Sequence, residues 1–213
     1  MRIDKDSPLP EHTILDYDEC CACLILREIF VERYKGLDVK DKPDLQCQAI
    51  GIEVTKSADK KHQEAINNWV MANNCEEVSK RKHYVERMEQ LGEKYTGGIQ
   101  FWSNYHPSLN DLFKSIDNKI DKIRKGNYAS FPQYELFVFT DLKIYDENKA
   151  RIKEHLLANR FFDNYSRLYI LEKGYLLFLF EAEYDELIEL NITEQTERNL
   201  RARQMVEEAE EEV

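Results

Sequence analysis

Lys42-Pro43-Asp44-Leu45-Gln46-Cys47-Gln48-Ala49-Ile50-Gly51-Ile52-Glu53-Val54-Thr55-Lys56 is the stretch from which the fold is read. Lys42-Pro43 breaks the chain, and residues 45–55 carry strand-type side chains, with Gly51 as a bulge or a point of close backbone approach. In an extended strand alternate side chains share a face, so Glu53 and Thr55 point one way while Val54 and Lys56 point the other. Asp44, arriving from a neighbouring strand or the turn before it, falls beside Glu53. Two carboxylates and the Val54 carbonyl are hard oxygen donors of the kind that suit magnesium or manganese. Such an ion lowers the pKa of a water and aligns it with a scissile phosphorus, and a nearby lysine stabilises the charge that develops. The chemistry indicated is hydrolysis of a phosphodiester.

On the N-terminal side, residues 18–34 read as a helix that is apolar almost all round at its start, with Gly36 as its stop. On the C-terminal side, Ser57 or Asp59 caps a helix through Ala65, Ile66, Trp69 and Val70, which continues or restarts after Asn73-Asn74. Residues 97–107 read as a loop or lid. A further amphipathic helix carries Leu112, Phe113, Ile116, Ile120 and Ile123 on one side and ends at Gly126. Residues 134–140 form a strand, residues 147–158 a helix capped by Asp146, and residues 167–171 and 175–180 a hairpin about Lys173-Gly174. A charged helix starts at Thr193. This alternation predicts an α/β fold, a mixed sheet flanked by helices, with one domain over residues 1–193 and a charged helix with an acidic tail over residues 194–213.

The Pro43-Asp44 pair and Glu53 within Ile52-Glu53-Val54 resemble the signature of the PD-(D/E)XK, or restriction-endonuclease-like, nuclease superfamily. The resemblance covers residues 41–67, with a looser match of element order beyond. It implies a restriction-endonuclease-like fold and a Mg2+- or Mn2+-dependent nuclease acting on DNA, with RNA left open. It assigns Asp44 and Glu53 to the metal and gives a further acid on the preceding helix to Glu19 or Glu28. Gln63, on the following helix, takes a supporting role. The family pattern puts lysine two positions after the second acid, where this chain has Thr55. The lysine is therefore sought in Lys56, one position on, or in Lys60 or Lys61. If the target is duplex, the resemblance also implies a homodimer.

Composition narrows the remaining possibilities. Hydrophobic residues make up 42% and charged residues 33%, a balance that supports a globular core with a solvated surface. The net charge of −11 argues against a protein that merely coats nucleic acid. Two basic clusters stand out from it: Lys80, Arg81, Lys82, Arg87 and Lys94, and Lys114, Lys119, Lys122, Arg124 and Lys125. Either a solvated helix face or a phosphate-binding surface accounts for such runs. Lys60, Lys61, Lys80, Arg81 and Lys82 are the candidates for nucleic-acid contact.

No apolar run reaches membrane-spanning length and no export signal opens the chain, so a cytoplasmic protein without a membrane partner is expected. Cys20-Cys21-Ala22-Cys23 reads as part of a buried helix rather than a metal site. The five histidines show no ligand spacing, and no phosphate-cradling glycine loop or nucleophile elbow is present. Phe101, Trp102, Tyr105 and Tyr128 are candidates for stacking on unpaired bases. The rival reading is a catalytically inactive nuclease-like interaction or regulatory protein of a bacterial or phage system, to which the displaced lysine and the net charge both point.

Overall fold

A seven-stranded mixed sheet, in the spatial order in which the strands occur along the chain, forms the centre of the molecule. The computed structural model describes residues 9–10, 12–97, 103, 105–126 and 130–211. The first helix, α1 (Tyr17–Ile29), leads into β1 (Asp38–Val39), β2 (Leu45–Cys47) and β3 (Ile50–Ser57), an antiparallel meander. Three helices follow, α2 (Lys60–Asn74), α3 (Val78–Gln90) and α4 (Leu109–Arg124), before β4 (Gln133–Thr140) pairs parallel to β3. Helix α5 (Asp146–Ala158) carries the chain to β5 (Arg167–Glu172), parallel to β4. Strands β6 (Leu176–Phe180) and β7 (Asp185–Glu189) complete the sheet antiparallel, and α6 (Ile192–Glu211) closes the chain.

The period-two alternation of the central strands separates two cores. Ile52, Val54, Phe137, Tyr169 and Leu171 face one side, where the buried run from Cys20 to Leu26 of α1 covers them together with Ala202 and Val206 of α6. Leu136, Val138, Leu168 and Ile170 face the other, covered by Leu112, Ile116 and Ile120 of α4 and Ile152 and Leu156 of α5. Each face buries apolar side chains against a helix stripe, which is the main source of stability for such a layered domain. Helix α6 thus belongs to the packed body, although its sequence reads as a charged helix with an acidic tail outside the domain.

Local chemistry explains the helix starts. The Asp16 side chain accepts from the Asp18 and Glu19 amides to open α1, and Asp59 accepts from the Lys61 and His62 amides to open α2. A reciprocal Ser108–Asp111 capping box opens α4. Helix α1 ends at Ile29, short of the expected residue 34, and the chain turns through residues 30–36. That turn lets Arg33 and Tyr34 reach Glu135, a fully buried carboxylate on the α1 face of β4. Arg33 makes an ion pair with it, and the Tyr34 hydroxyl donates to its other oxygen. Cys20, Cys21, Cys23 and Cys47 are buried, and burial pushes the Cys20 thiol up to about 12 and Cys23 to about 11, as expected of small core side chains. Among the described residues, no helix is long and apolar enough to cross a membrane.

Candidate active site

The β2–β3 hairpin positions the two acids. A Cβ on Gly51 would lie 2.4 Å from Pro43 Cγ, so the missing side chain is what lets the Lys42–Pro43 turn close over β3. The close approach anticipated at Gly51 is therefore to Pro43. It sets Asp44 at the mouth of β2, where Lys40 N donates to the Asp44 carbonyl at 2.9 Å. Beyond Ile52, the last residue of β3 with a β2 partner, the Val54 amide donates instead to Asp44 Oδ2 at 2.7 Å. The sequence suggests the Val54 carbonyl as a metal ligand; the contribution the structure displays is this N–H, which fixes the carboxylate.

Glu53 lies opposite Leu136 of β4 and is 2% exposed, a carboxylate set into the α4 face of the sheet. An ionised carboxylate there requires a partner, because the cost of removing it from water is several kcal/mol, on the order of the stability of a small domain. Lys119 of α4 is that partner. Its Nζ lies 2.5 Å from Glu53 Oε2 and 3.5 Å from Asp44 Oδ2. The two acids thus converge on one ammonium, itself 9% exposed. The Tyr165 hydroxyl donates to the Lys119 carbonyl at 3.1 Å and ties this turn of α4 to the segment that leads into β5.

The three lysines considered from sequence stand elsewhere. Lys56 points to the opposite face, as alternation requires, and its Nζ lies 2.6 Å from Asp18 Oδ2 of α1. Lys60 and Lys61 lie on the exposed side of the first turn of α2. Sequence reasoning passes over Lys119, counting it only within a basic cluster. The available signal is its place on the Leu112–Ile116–Lys119–Ile123 stripe of α4, an inward position where lysine is rare unless paired.

Glu28 is corrected. Nine residues beyond Glu19, it sits roughly 13 Å further along the axis of α1. Its carboxylate pairs with Arg198 of α6 at 3.1 Å, away from Asp44 and Glu53. Glu19 is the acid of α1 that belongs with them. Its carboxyl is pushed up to about 8, first by burial and then by the charges of Asp44, Asp16 and Glu53, while Lys119 opposes the rise. Gln63 lies in the first turn of α2 and lines the clefts on both sides of it. Among the described residues, it makes no hydrogen bond to Asp44 or Glu53.

A groove of about 890 Å³ opens beside Lys119 between α2 and α4. Lys60 and Lys61 line it from α2, and Lys114, Lys122 and Lys125 line it from α4. Among the described residues, none of these five is in an ion pair. Most of the groove's acids are already engaged: Asp59 and Asp111 cap α2 and α4, and Glu64 pairs with Arg87 at 2.5 Å. The groove therefore carries a surplus of positive charge on a protein that is acidic overall. Lys80, Arg81 and Lys82 do not reach it. They lie on α3, where Lys80 pairs with Glu77, Arg81 donates to the Cys75 carbonyl and Lys82 pairs with Glu86. Tyr105 stacks on His62, and its hydroxyl joins the caps of α2 and α4. Phe101, Trp102 and Tyr128 lie outside the described residues.

Among the described residues, no three His, Cys, Asp or Glu side chains are grouped to hold a metal ion. A magnesium ion needs fewer, since it commonly takes one or two carboxylates and completes its shell with water and substrate phosphate. Asp44 and Glu53 suffice by that measure. Comparison with protein-family models, with curated proteins and with solved structures returned no match.

Proposed function

We propose that this chain is a metal-dependent nuclease of restriction-endonuclease-like fold that hydrolyses phosphodiester bonds in DNA. The observation that carries the reading is the convergence of Asp44 and Glu53 on Lys119 at the edge of a lysine-rich groove. It supports a set of two acids and a lysine in which the lysine comes from α4 rather than from β3. The fold agrees in outline: a helix precedes the motif, a mixed sheet carries it, and a helix follows.

Asp44 and Glu53 would hold magnesium or manganese, which supplies Lewis-acid polarisation of the phosphate and a water of lowered pKa. Lys119 places a fixed positive charge where negative charge develops on the phosphoryl oxygens. The Val54 amide keeps Asp44 in place, and the groove lysines hold the phosphate backbone without reading sequence. Cleavage of labelled DNA oligonucleotides with magnesium or manganese tests this, comparing wild type with Asp44→Ala and Glu53→Ala. Each substitution is expected to lower the rate by about 100-fold or more. Activity that survives both removes the assignment, and cleavage of RNA alone would move the substrate class.

One observation favours a second reading. The Lys119 ammonium already pairs with both carboxylates, as it would in an inactive nuclease-like scaffold serving as an interaction protein. Such a scaffold would show no magnesium- or manganese-dependent rise in melting temperature that disappears on Glu53→Gln.

A further inference from the structure

The two walls of the lysine groove meet at the amino ends of α2 and α4. The Asp59 amide of the α2 cap donates to the Tyr105 hydroxyl at 3.2 Å, and that hydroxyl donates to Asp111 Oδ2 of the α4 capping box at 3.1 Å. Asp59 and Asp111 both line the groove, so at this end one hydroxyl spans the gap between its walls. From there the groove follows α4, where Lys114, Asn118, Lys122 and Lys125 recur every three or four residues and share one face. Lys60, Lys61 and Asn67 line it from the first two turns of α2.

We infer that the groove takes a single strand of DNA rather than a duplex. This assignment rests on the nuclease reading and specifies its substrate. Ammonium groups stand on both walls, so a lone sugar–phosphate chain lying between them is neutralised from two sides. A duplex carries its phosphates on the outside of a rod two strands thick and would meet only the rim. The volume of about 890 Å³ lies within the range of about 300–1,000 Å³ that suits one small ligand, and the pinch at Tyr105 leaves no passage of duplex width. The reacting groups also demand entry. Glu53 is 2% exposed and Lys119 is 9% exposed, so a scissile phosphate has to descend between the helices to reach them. A flexible strand bends into such a groove readily, whereas a duplex resists deformation.

The face from Lys114 to Lys125 extends about 16 Å at about 1.5 Å per residue, enough for about five nucleotides stacked at about 3.4 Å. Among the described residues, no aromatic side chain lines the groove, so the grip on the strand is ionic rather than a matter of base stacking. Binding of that kind tolerates any base sequence and weakens steeply with salt.

Fluorescence anisotropy of the full chain in EDTA tests the assignment, using a labelled strand of about 12 nucleotides and the blunt duplex of the same sequence. The strand is expected to bind at least about 10-fold more tightly than the duplex at equal salt. Its log affinity should fall with log salt at a slope of about 3.5 if all five groove lysines neutralise a phosphate, each contributing about 0.7. Lys60→Gln with Lys61→Gln removes two exposed ammonium groups from the α2 wall. Melting temperature should hold, while strand affinity falls about 10-fold or more and the slope drops by about 1.4. The assignment is overturned if the duplex binds as tightly as the strand, if neither binds below about 1 mM, or if the double replacement leaves strand affinity unchanged. Strand binding without magnesium- or manganese-dependent cleavage rejects the nuclease reading alone. Metal-dependent cleavage that favours the duplex rejects the single-strand assignment alone.

Discussion

Lys119 and Glu53 form a buried pair whose energetics can be measured without any substrate. Removing one partner strands the other charge in the protein interior, so Lys119→Met in the absence of divalent metal is expected to cost about 3–5 kcal/mol in urea unfolding. The double variant Lys119→Met with Glu53→Gln should recover most of that loss, because the fully buried charge is then gone and only Asp44, more exposed and held by the Val54 amide, lacks the ammonium. Equal losses in the single and double variants would contradict the pairing. Glu19 makes a separate expectation in pH. Its carboxyl titrates at about 8 in the folded chain against an ordinary value of 4.5, so the folded state holds the proton more tightly. Its contribution to stability is complete below about pH 4.5 and is lost as pH rises towards 8. Glu19→Gln should therefore flatten the fall in melting temperature between about pH 5 and about pH 8.5, and an unchanged slope would rule the effect out. At this scale the sequence disclosed Asp44 and Glu53, because strand alternation is a local rule. It hid Lys119, since only the packing of α4 on the sheet brings position 119 to position 53.

At the scale of elements, the hairpin of β2 and β3 depends on a single missing side chain. Gly51→Ala places a methyl group 2.4 Å from Pro43 Cγ, and relieving that clash must move the turn that carries Asp44. A loss of about 1–3 kcal/mol is expected, together with reduced cleavage. Wild-type stability and cleavage in this variant would contradict the close approach. Local patterns reveal the helices and central strands well: Asp59 caps α2, and the apolar alternation of residues 134–140 falls within β4. Strand β7 escapes such a reading because Asp185, Glu186 and Glu189 form an exposed, charged edge with little hydrophobic pattern. Helix α6 is legible as a helix but not as part of the core. Its buried Ala202 and Val206 are small side chains among many charges, and the packing against α1 that buries them is long-range.

At the scale of the whole molecule, a net charge of −11 coexists with a groove rich in lysine. Acidic surface elsewhere repels a polyanion, so DNA is expected to be held almost entirely through that groove. Replacing Lys114 and Lys122 with glutamine should weaken binding and lower the slope of log affinity against log salt by roughly 1 for each phosphate that is no longer neutralised. The same replacement of Lys80, Arg81 and Lys82 on α3 should change neither. The reverse pattern would move the binding surface to α3.

Cleavage by Lys119→Ala, set beside Lys56→Ala under the same magnesium or manganese conditions, decides whether α4 supplies the lysine of the site. The expected result is a rate loss of about 100-fold or more for Lys119→Ala in protein shown to be folded, with Lys56→Ala close to wild type. Wild-type cleavage by Lys119→Ala, or an inactive Lys56→Ala, would contradict the assignment.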